Sequence, residues 1–336
     1  MKRNLLLQFV KVCTTLMRDL LFTIALLGFS IQSSISAQTV QTPFSEPTIS
    51  PKSEDIAFVS GGDIWTVTSK GGDARLLVAH AAIESRPLYA PDGKSLAFTS
   101  TRTGNGDVYV LTLATGAVKR LTFDDANEQV SGWSRDGQRV FFQTTAQDIA
   151  GMNDIFSVSI EGETPIAVSA DRYANEFFAA PAPDGSAVAF SARGIASNQW
   201  WRNGRSHIDE AEIWLKRFNS AQYEQITEGG AKELWAMWSA DSKTLFYVSD
   251  RNGTQNIWSK SLNKGSIPSQ LTQFKKGRVL WASISADGKI LVFERDFQIW
   301  KMDVSSRRAA VVPINLVGVG ASPSVERLRF PSISSP

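Results

Sequence analysis

The chain alternates between short apolar runs and polar turns, and one turn signature recurs six times. In these four-residue turns Pro, Asp and Gly recur at fixed places: Ser50-Pro51-Lys52-Ser53, Ala90-Pro91-Asp92-Gly93, Ser134-Arg135-Asp136-Gly137, Ala182-Pro183-Asp184-Gly185, Ser239-Ala240-Asp241-Ser242 and Ser285-Ala286-Asp287-Gly288. Pro presets φ, Asp bonds to its own backbone and Gly supplies a positive φ, so each copy predicts a tight hairpin turn. With the third residue of each turn as position 0, successive copies are 40, 44, 48, 57 and 46 residues apart.

Apolar positions keep the same register in every copy. Position +6 is always aromatic and ends an apolar triplet that predicts a buried strand: Phe58, Phe98, Phe142, Phe190, Tyr247 and Phe293. An aliphatic–aromatic pair follows in each copy: Ile64-Trp65, Val108-Tyr109, Ile155-Phe156, Ile213-Trp214, Ile257-Trp258 and Ile299-Trp300. A polar turn and a last short strand complete each unit, which therefore contains four strands.

Four-stranded units at this period, with no helical periodicity between them, are typical of β-propeller blades. A β-sandwich is the alternative, but it gives no reason for such regular repetition. We therefore predict an all-β fold, a six-bladed β-propeller of four-stranded blades over residues 38–316. The recurrent aromatics are expected to form the core between blades, because a cofactor would not need the same residue type six times.

Closure of the predicted ring involves the two ends of the repeat region. Blade 1 begins with its innermost strand, at 47–50, and blade 6 ends with its own outermost strand, near 310–314. We therefore expect no strand exchange at closure. Packing of blade 1 against blade 6 must then close the ring, and this junction should be its least stable part.

The first 37 residues have the pattern of a secretory signal peptide. Arg18 precedes a twelve-residue apolar stretch, 20–31, and small residues lead to a cleavage site after Ala37. Twelve residues are too few to span a bilayer, which takes about 20. An N-terminal anchor is the alternative, and the true start is either Met1 or Met17. Cleavage predicts export, with the periplasm as the expected compartment, and no stable membrane span afterwards.

Composition narrows the class of protein. The chain has 336 residues, 43% hydrophobic and 10% aromatic, which excludes a disordered chain. One Cys and two His exclude disulfide frameworks and His/Cys zinc sites. Cleavage would remove Cys13 and leave 31 basic and 32 acidic residues. A nearly neutral chain does not favour nucleic-acid binding. The expected protein or peptide partners follow instead from the interaction residues and the resemblance described below.

Four blades carry a glutamate at position −8, where the innermost strand should begin: Glu84, Glu128, Glu176 and Glu233. One interpretation is an acidic rim around the channel that attracts basic peptide ends or cations. The other is structural. Hairpin register brings position −8 near position +10, which is Arg102 in blade 2 and Arg251 in blade 5, so cross-strand ion pairs are expected there. Carboxylate–guanidinium distances beyond about 6 Å would exclude these pairs.

An insertion in blade 4, residues 191–211, is the predicted partner-contacting surface. It contains Trp200, Trp201, Arg202 and Arg205, and Trp and Arg are enriched at interaction hot spots. The alternative is a loop that folds back over its own blade.

Catalytic and cofactor motifs are not evident. The sequence has no Gly-x-Ser-x-Gly elbow and no phosphate-binding glycine loop, and neither His80 nor His207 accompanies a nucleophile motif. The segment 207–212 offers His, Asp and Glu side chains, but acidic residues beside a strand are ordinary. We therefore predict no catalytic residues, no metal and no cofactor.

The repeats resemble those of the TolB-like family, and most closely the N-terminal six-bladed propeller of tricorn-like peptidases. The resemblance covers about 44–316 and is most specific at 90–98 and 249–258. It implies a non-catalytic module that gates substrate or acts as a scaffold in a serine peptidase. A stand-alone TolB-like periplasmic interaction protein is the alternative, and a hydrolase with a channel site is a third.

The last residues, 317–336, are interpreted as a linker that leads into a further strand. Residues 330–336 repeat the pattern of 47–51, the opening of blade 1. In tricorn-like proteins a second propeller follows the first, so the resemblance implies that the chain is the first part of a longer protein. A loose terminus is the alternative.

Overall fold

The computed structural model describes residues 43–193 and 210–317, and within them the chain forms 25 β-strands and no α-helix. Twenty-four of these strands form six antiparallel sheets of four consecutive strands each, and the last strand joins the first sheet. The innermost strand of each sheet contacts the innermost strand of the next, and the first contacts the last. The predicted six-bladed β-propeller is therefore confirmed.

Each blade runs from the central channel outwards. The innermost strands of blades 1 to 6 are β1 (Ser45–Ile49), β5 (Glu84–Tyr89), β9 (Glu128–Trp133), β13 (Asn175–Pro181), β17 (Glu233–Trp238) and β21 (Leu280–Ile284). The second strands are β2 (Asp55–Ser60), β6 (Ser95–Ser100), β10 (Arg139–Thr144), β14 (Ala187–Arg193), β18 (Thr244–Ser249) and β22 (Ile290–Arg295).

The outer half of each blade consists of two further strands. The third strands are β3 (Asp63–Thr68), β7 (Asp107–Thr112), β11 (Asp154–Ser159), β15 (Glu212–Arg217), β19 (Asn256–Ser261) and β23 (Gln298–Asp303). The outermost strands are β4 (Gly72–Val78), β8 (Ala117–Arg120), β12 (Ile166–Ser169), β16 (Tyr223–Gln225), β20 (Ser269–Gln270) and β24 (Arg308–Val311). One more strand, β25 (Ile314–Leu316), follows blade 6.

The six predicted hairpin turns join the first and second strands of the blades. In blade 2, Asp92 Oδ1 accepts a hydrogen bond from the Lys94 backbone N–H at 2.9 Å, and Gly93 has φ = 70°. Ser53 and Ser242 adopt the same left-handed conformation where glycine is absent, with φ of 61° and 56°. The turn geometry is therefore the same even where serine replaces glycine.

The aromatic side chains at position +6 form the core between blades, as the sequence predicts. All six are at most 1% exposed. Each one pairs across strands with an aromatic of the third strand, as Phe98 does with Tyr109 and Phe142 with Phe156. Those two pairs have ring centroids 5.7 and 6.1 Å apart. Apolar burial of this kind is the main stabilisation of the ring.

The ring closes between blades 1 and 6. Neither blade borrows any of its four strands, which confirms the predicted absence of strand exchange. Packing alone does not close the ring, however, so that expectation is corrected: β25 crosses to blade 1 and pairs in parallel with the outer edge of β4. The Phe44 backbone N–H also donates to the Phe297 carbonyl at 3.0 Å. A three-residue parallel pairing has no periodic signal in the sequence.

Several predicted segments lie outside the described residues. These are the signal peptide, 1–37, most of the blade 4 insertion, with Trp200, Trp201, Arg202 and Arg205, and the segment 318–336. No helix long and apolar enough to cross a membrane occurs among the residues that the structure describes.

Candidate functional site

The four glutamates at position −8 occupy one equivalent place in blades 2 to 5. Each begins or nearly begins its innermost strand and pairs with position +8 of the second strand: Glu84 with Ser100, Glu128 with Thr144, Glu176 with Ala192, and Glu233 with Ser249. All four residues are between 0% and 2% exposed. The structure thus places these carboxylates inside the blades, and the expectation of an exposed acidic rim around the channel is not met.

In blades 2 and 5 an arginine neutralises the buried carboxylate. The Arg102 Nη2 atom lies 3.0 Å from Glu84 Oε1, and the Arg251 Nη2 atom lies 2.5 Å from Glu233 Oε1. A serine at position +8 donates a second hydrogen bond to the same oxygen, from Ser100 at 3.1 Å and from Ser249 at 3.2 Å. Both predicted cross-strand ion pairs are therefore confirmed.

Blades 3 and 4 have no arginine at the equivalent position, which is Ala146 in blade 3 and Gly194 in blade 4. Burial raises the pKa of Glu128 to about 7, against a hydrogen bond from Thr122 that lowers it. Burial likewise raises the pKa of Glu176 to about 7, although Ser169 Oγ donates to its Oε1 at 2.7 Å. These two carboxyls are thus partly protonated near neutral pH.

A pocket lies beside each of these two glutamates. The blade 3 pocket, of about 400 Å³, is lined by Glu128 together with Phe142 and Phe156. The blade 4 pocket, of about 360 Å³, is lined by Glu176 together with Phe190 and Trp214. The aromatic residues are those of the repeated core, so both pockets are built from the blade pattern itself.

A third cavity, of about 410 Å³, is the central chamber on the side of the hairpin turns. All six innermost strands contribute to its wall, which includes Tyr89, Trp133 and Trp238. The indole N–H groups of Trp133 and Trp238 donate to the carbonyls of Leu88 and Ala180 in neighbouring blades, at 3.0 and 2.7 Å. These hydrogen bonds fix both indole rings in the wall of the chamber.

Five side chains at position −6 meet at the inner end of the chamber, and we call them the axial cluster: Glu46, Arg86, Phe178, Trp235 and Trp281. The three aromatic rings, from blades 4, 5 and 6, have centroids 5.1 to 5.6 Å apart. The Arg86 guanidinium carbon lies 4.3 Å from the Trp281 ring centroid and 5.3 Å from that of Phe178. Within the described residues, the channel is therefore closed at this level.

Arg86 connects the cluster to the two remaining blades. Its backbone N–H donates to the Glu46 carboxylate of blade 1, and its Nε donates to the Val130 carbonyl of blade 3 at 3.1 Å. Burial lowers the pKa of Arg86 to about 10, against the opposing charge of Glu46. Burial also raises the pKa of Glu46. Residues of blades 1, 3, 4 and 6 thus contact Arg86 of blade 2, and Trp235 of blade 5 packs on the same aromatic rings.

The backbone explains why these side chains point to the channel axis. All five residues of the axial cluster have left-handed φ angles, between 51° and 56°, and each lies at a β-bulge of its innermost strand. Bulges redirect side chains, and left-handed φ at a residue other than glycine costs about 1–3 kcal/mol. The sequence does not reveal this cluster, because no glycine marks the bulges and the residue type at position −6 varies among blades.

Other candidates from the sequence contribute little to these sites. His80 is exposed in a loop, where its Nδ1 accepts a hydrogen bond from the Ala82 backbone N–H at 3.0 Å. His207 lies outside the described residues. Among the residues that the structure describes, no three His, Cys, Asp or Glu side chains are grouped closely enough to hold a metal ion.

The comparison with protein families matches residues 42–308 to the family described as "Tricorn protease N-terminal beta propeller domain". Tricorn protease homolog 1 of Streptomyces coelicolor is 26% identical over 256 residues, which cover 75% of this chain and 23% of that protein. The chain thus spans about a quarter of that relative's length.

Solved structures show the same fold. The crystal structure of the tricorn protease superposes with a TM-score of 0.68 at 20% identity, covering 83% of this chain and 27% of that one. TolB from Acinetobacter baumannii superposes with a TM-score of 0.59 at 18% identity, covering 80% of this chain and 62% of that one. The family match extends over most of the chain, so the chain belongs to the tricorn protease N-terminal β-propeller domain family.

Proposed function

We propose that the chain is a non-catalytic binding module whose central chamber holds a short peptide segment. The observation that carries this proposal is the chamber itself, a cavity of about 410 Å³ with one end closed by the axial cluster. Its volume falls within the range of ligand sites, about 300–1,000 Å³. A cavity closed at one end retains a chain end or a side chain rather than passing it on.

The chemistry of the chamber suits an apolar or aromatic peptide segment. Trp133, Trp235 and Trp238 offer large rigid surfaces, and indoles of this kind dominate many binding interfaces. Passage of a peptide through the whole channel would require the rings of the axial cluster to separate.

The relatives suggest the setting in which this binding acts. One matched relative is a tricorn protease homolog and one matched structure is the tricorn protease. We therefore propose that the propeller serves a tricorn-like peptidase as a substrate-gating or scaffold domain, with the catalytic part elsewhere. The predicted signal peptide supports export, with the periplasm as the proposed compartment, and Trp200, Trp201, Arg202 and Arg205 remain the proposed partner-contacting residues.

The likeness to TolB supports a second candidate, a stand-alone periplasmic interaction propeller. In that case the same chamber would hold a segment of an envelope protein. The coding sequence after Pro336 distinguishes the two: further blade repeats favour the peptidase, and a stop codon favours the stand-alone protein.

A selection experiment tests the proposal. The full chain is immobilised and exposed to a pool of random hexapeptides, and retained peptides are identified and titrated by fluorescence anisotropy. Trp281→Ala opens the floor of the chamber and should weaken the selected peptides at least about tenfold. The control Phe218→Ala removes a half-exposed ring of blade 4 and should change nothing.

Mass spectrometry of the retained peptides checks the non-catalytic part of the proposal. They should remain intact after prolonged incubation. If no peptide is retained, or if Trp281→Ala binds as well as the wild type does, the proposed binding role is wrong. Cleaved peptides would show that the module is catalytic.

A further inference from the structure

The blade 3 pocket can be compared with the equivalent places in blades 2 and 5, where an arginine is present. In blade 2 the Arg102 guanidinium lies between the Glu84 carboxylate and two rings, with its carbon 4.7 Å from the Tyr109 centroid and 5.6 Å from that of Phe98. In blade 5 the Arg251 guanidinium lies between Glu233 and Trp258, 5.3 Å from that ring centroid. Both blades therefore surround a guanidinium with one carboxylate and aromatic faces.

Blade 3 retains this surrounding without the cation. Glu128 pairs with position +8, and Phe142 pairs with Phe156, in the same registers as the corresponding residues of blade 2. Glu128 is 2% exposed and lines the blade 3 pocket. Its Oε2 atom has no hydrogen-bond partner among the described residues, and the same holds for Oε2 of Glu84 and Glu233. What distinguishes Glu128 is that no salt bridge to it is found among the described residues, whereas Arg102 and Arg251 lie on Oε1 of Glu84 and Glu233. A buried carboxylate without a cation is costly, which points to a missing positive group.

The backbone at position +10 is also equivalent. The Arg102 N–H donates to Ser100 Oγ at 3.2 Å, the Arg251 N–H donates to Ser249 Oγ at 3.2 Å, and the Ala146 N–H donates to Thr144 Oγ1 at 3.2 Å. The backbone of Ala146 thus has the same position in its blade as the backbones of Arg102 and Arg251 have in theirs. What blade 3 lacks is the side chain, and the pocket of about 400 Å³ lies there instead.

The blade 3 pocket has an acidic lining, and residues at its entrance are exposed to solvent. Asp124 and Glu163 also line it, and both are exposed, as is Phe123. Arg120 lowers the pKa of Glu128 but is itself bonded to Asp107 at 2.8 Å and lies over Phe123. Arg139 is 3.8 Å from Glu163 on the outer side. The described cations around the pocket thus have carboxylates of their own.

We propose that the blade 3 pocket is a binding site for the arginine side chain of a partner, which enters from outside and takes the place that Arg102 occupies in blade 2. A guanidinium satisfies the carboxylate through directed N–H groups and stacks on ring faces at the same time, as it does twice within this chain. This site lies apart from the central chamber, and the proposal does not depend on peptide binding there.

A titration with a minimal probe tests the site. The full chain is titrated with Nα-acetyl-arginine amide by calorimetry and by ¹⁵N NMR at pH 8, and the citrulline analogue serves as the uncharged control of equal shape. We expect the arginine probe to bind and to shift the amides around Ala146 and Glu128. The citrulline analogue should bind at least about tenfold more weakly, because it lacks the charge.

Three variants test whether the probe binds in the blade 3 pocket. Ala146→Arg supplies the missing side chain from within and should abolish probe binding. Glu128→Gln removes only the charge and should weaken binding at least about tenfold. The control Glu161→Gln neutralises an exposed glutamate that pairs with Lys119 at 3.7 Å and should bind as the wild type does.

Several results would overturn the proposal. These are the lack of any probe binding to the wild type, equal binding of the citrulline analogue, and unchanged binding in Glu128→Gln. If Ala146→Arg does not fold, Glu128→Gln against Glu161→Gln still decides the matter. Failure of the peptide selection on the chamber would leave this result untouched, since the two sites are tested by different probes and variants.

Discussion

Blades 2 and 5 differ from blades 3 and 4 in whether an arginine neutralises the equivalent buried glutamate. In blades 2 and 5 the carboxylate is bonded to an arginine of its own blade, at 3.0 and 2.5 Å. In blades 3 and 4 the arginine is absent, the pKa of the carboxyl rises to about 7, and a pocket is present. One pattern thus yields a structural ion pair in blades 2 and 5, and a carboxyl with a raised pKa beside a pocket in blades 3 and 4.

The difference shows that the repeat keeps a buried glutamate even in blades where its burial is energetically unfavourable. Glu128 and Glu176 remain buried although, among the described residues, no arginine pairs with them as Arg102 pairs with Glu84. Such a carboxyl is tolerated by taking up a proton, and it remains available to a cation from elsewhere. Uncompensated burial of this kind marks candidates for function within an otherwise structural element.

The largest expected effect comes from breaking a satisfied pair. Arg251→Ala leaves Glu233 buried without its cation and should lower the free energy of unfolding by about 3 kcal/mol. Urea denaturation at pH 7.5 measures the loss. The double variant Glu233→Gln/Arg251→Ala is the control, and it should recover part of the stability because no buried charge remains. If the double variant is no more stable than the single one, packing rather than charge accounts for the loss.

The pH dependence of stability should reveal the unpaired carboxyls. The pKa of Glu128 is raised in the folded state from an ordinary 4.5 to about 7, so the folded protein holds this proton more tightly than the unfolded chain does. Its contribution to stability is therefore complete below pH 4.5 and is lost as the pH rises through 7. Glu128→Gln should be more stable than the wild type by about 1–3 kcal/mol at pH 8, and close to it at pH 5.

Denaturation curves between pH 5 and 8 measure this difference. Glu176 and Glu294, whose pKa values burial also raises to about 7, should leave a residual slope in the variant. Glu84→Gln is the matched control and should be destabilised at pH 8, because it removes the partner of Arg102. An identical slope in the wild type and in Glu128→Gln would contradict our interpretation of blade 3.

Removing the arginine of blade 2 should convert that blade into a copy of blade 3. In Arg102→Ala, a small guanidinium compound such as methylguanidinium should restore part of the lost stability at low millimolar concentration, which corresponds to about 1 kcal/mol or less. The melting temperature with and without the compound measures this rescue. Methylurea is the uncharged control. Equal rescue by methylurea would show that cavity filling, rather than charge, is at work.

Blades 1 and 6 extend the comparison, because position −8 is apolar there, with Phe44 and Val279. Their junction relies on backbone pairing of β25, which passes close to Gly71: a Cβ at that residue would lie 2.3 Å from the Pro313 carbonyl oxygen. Gly71→Ala should therefore lower stability by about 1 kcal/mol more than Gly72→Ala, which shares the positive φ without any close contact. Hydrogen exchange should rise in β4 and β25 of the first variant only.

The sequence predicts the fold well because every blade repeats its turn, its core aromatic and its strand pairs. The same alignment predicts the pairs of Glu84 and Glu233, since hairpin register alone brings positions −8 and +10 together. Burial of Glu128 was not foreseen, because a glutamate at a strand end resembles a solvent-exposed residue when its partner is absent. Comparison of position +10 across blades would have identified Ala146 as the exception.

The axial cluster and the ring closure could not be predicted in this way. The bulges that direct Arg86 and Trp281 to the axis occur at residues that do not favour a left-handed backbone. The local sequence therefore contains no residue type that predicts these bulges. The cluster is a property of six blades meeting in space, and its members differ in residue type. The parallel pairing of β25 is likewise set by where the chain leaves blade 6.

The most direct test of the account is the pKa of the Glu128 carboxyl, measured by ¹³C NMR on selectively labelled protein. In the wild type the carboxyl should titrate near 7. In Ala146→Arg it should titrate at or below its ordinary value of 4.5, because the new guanidinium occupies the pocket as Arg102 does in blade 2. A wild-type value near 4.5, or an unchanged value in Ala146→Arg, would contradict the claim that the blade 3 pocket is a site for an arginine side chain.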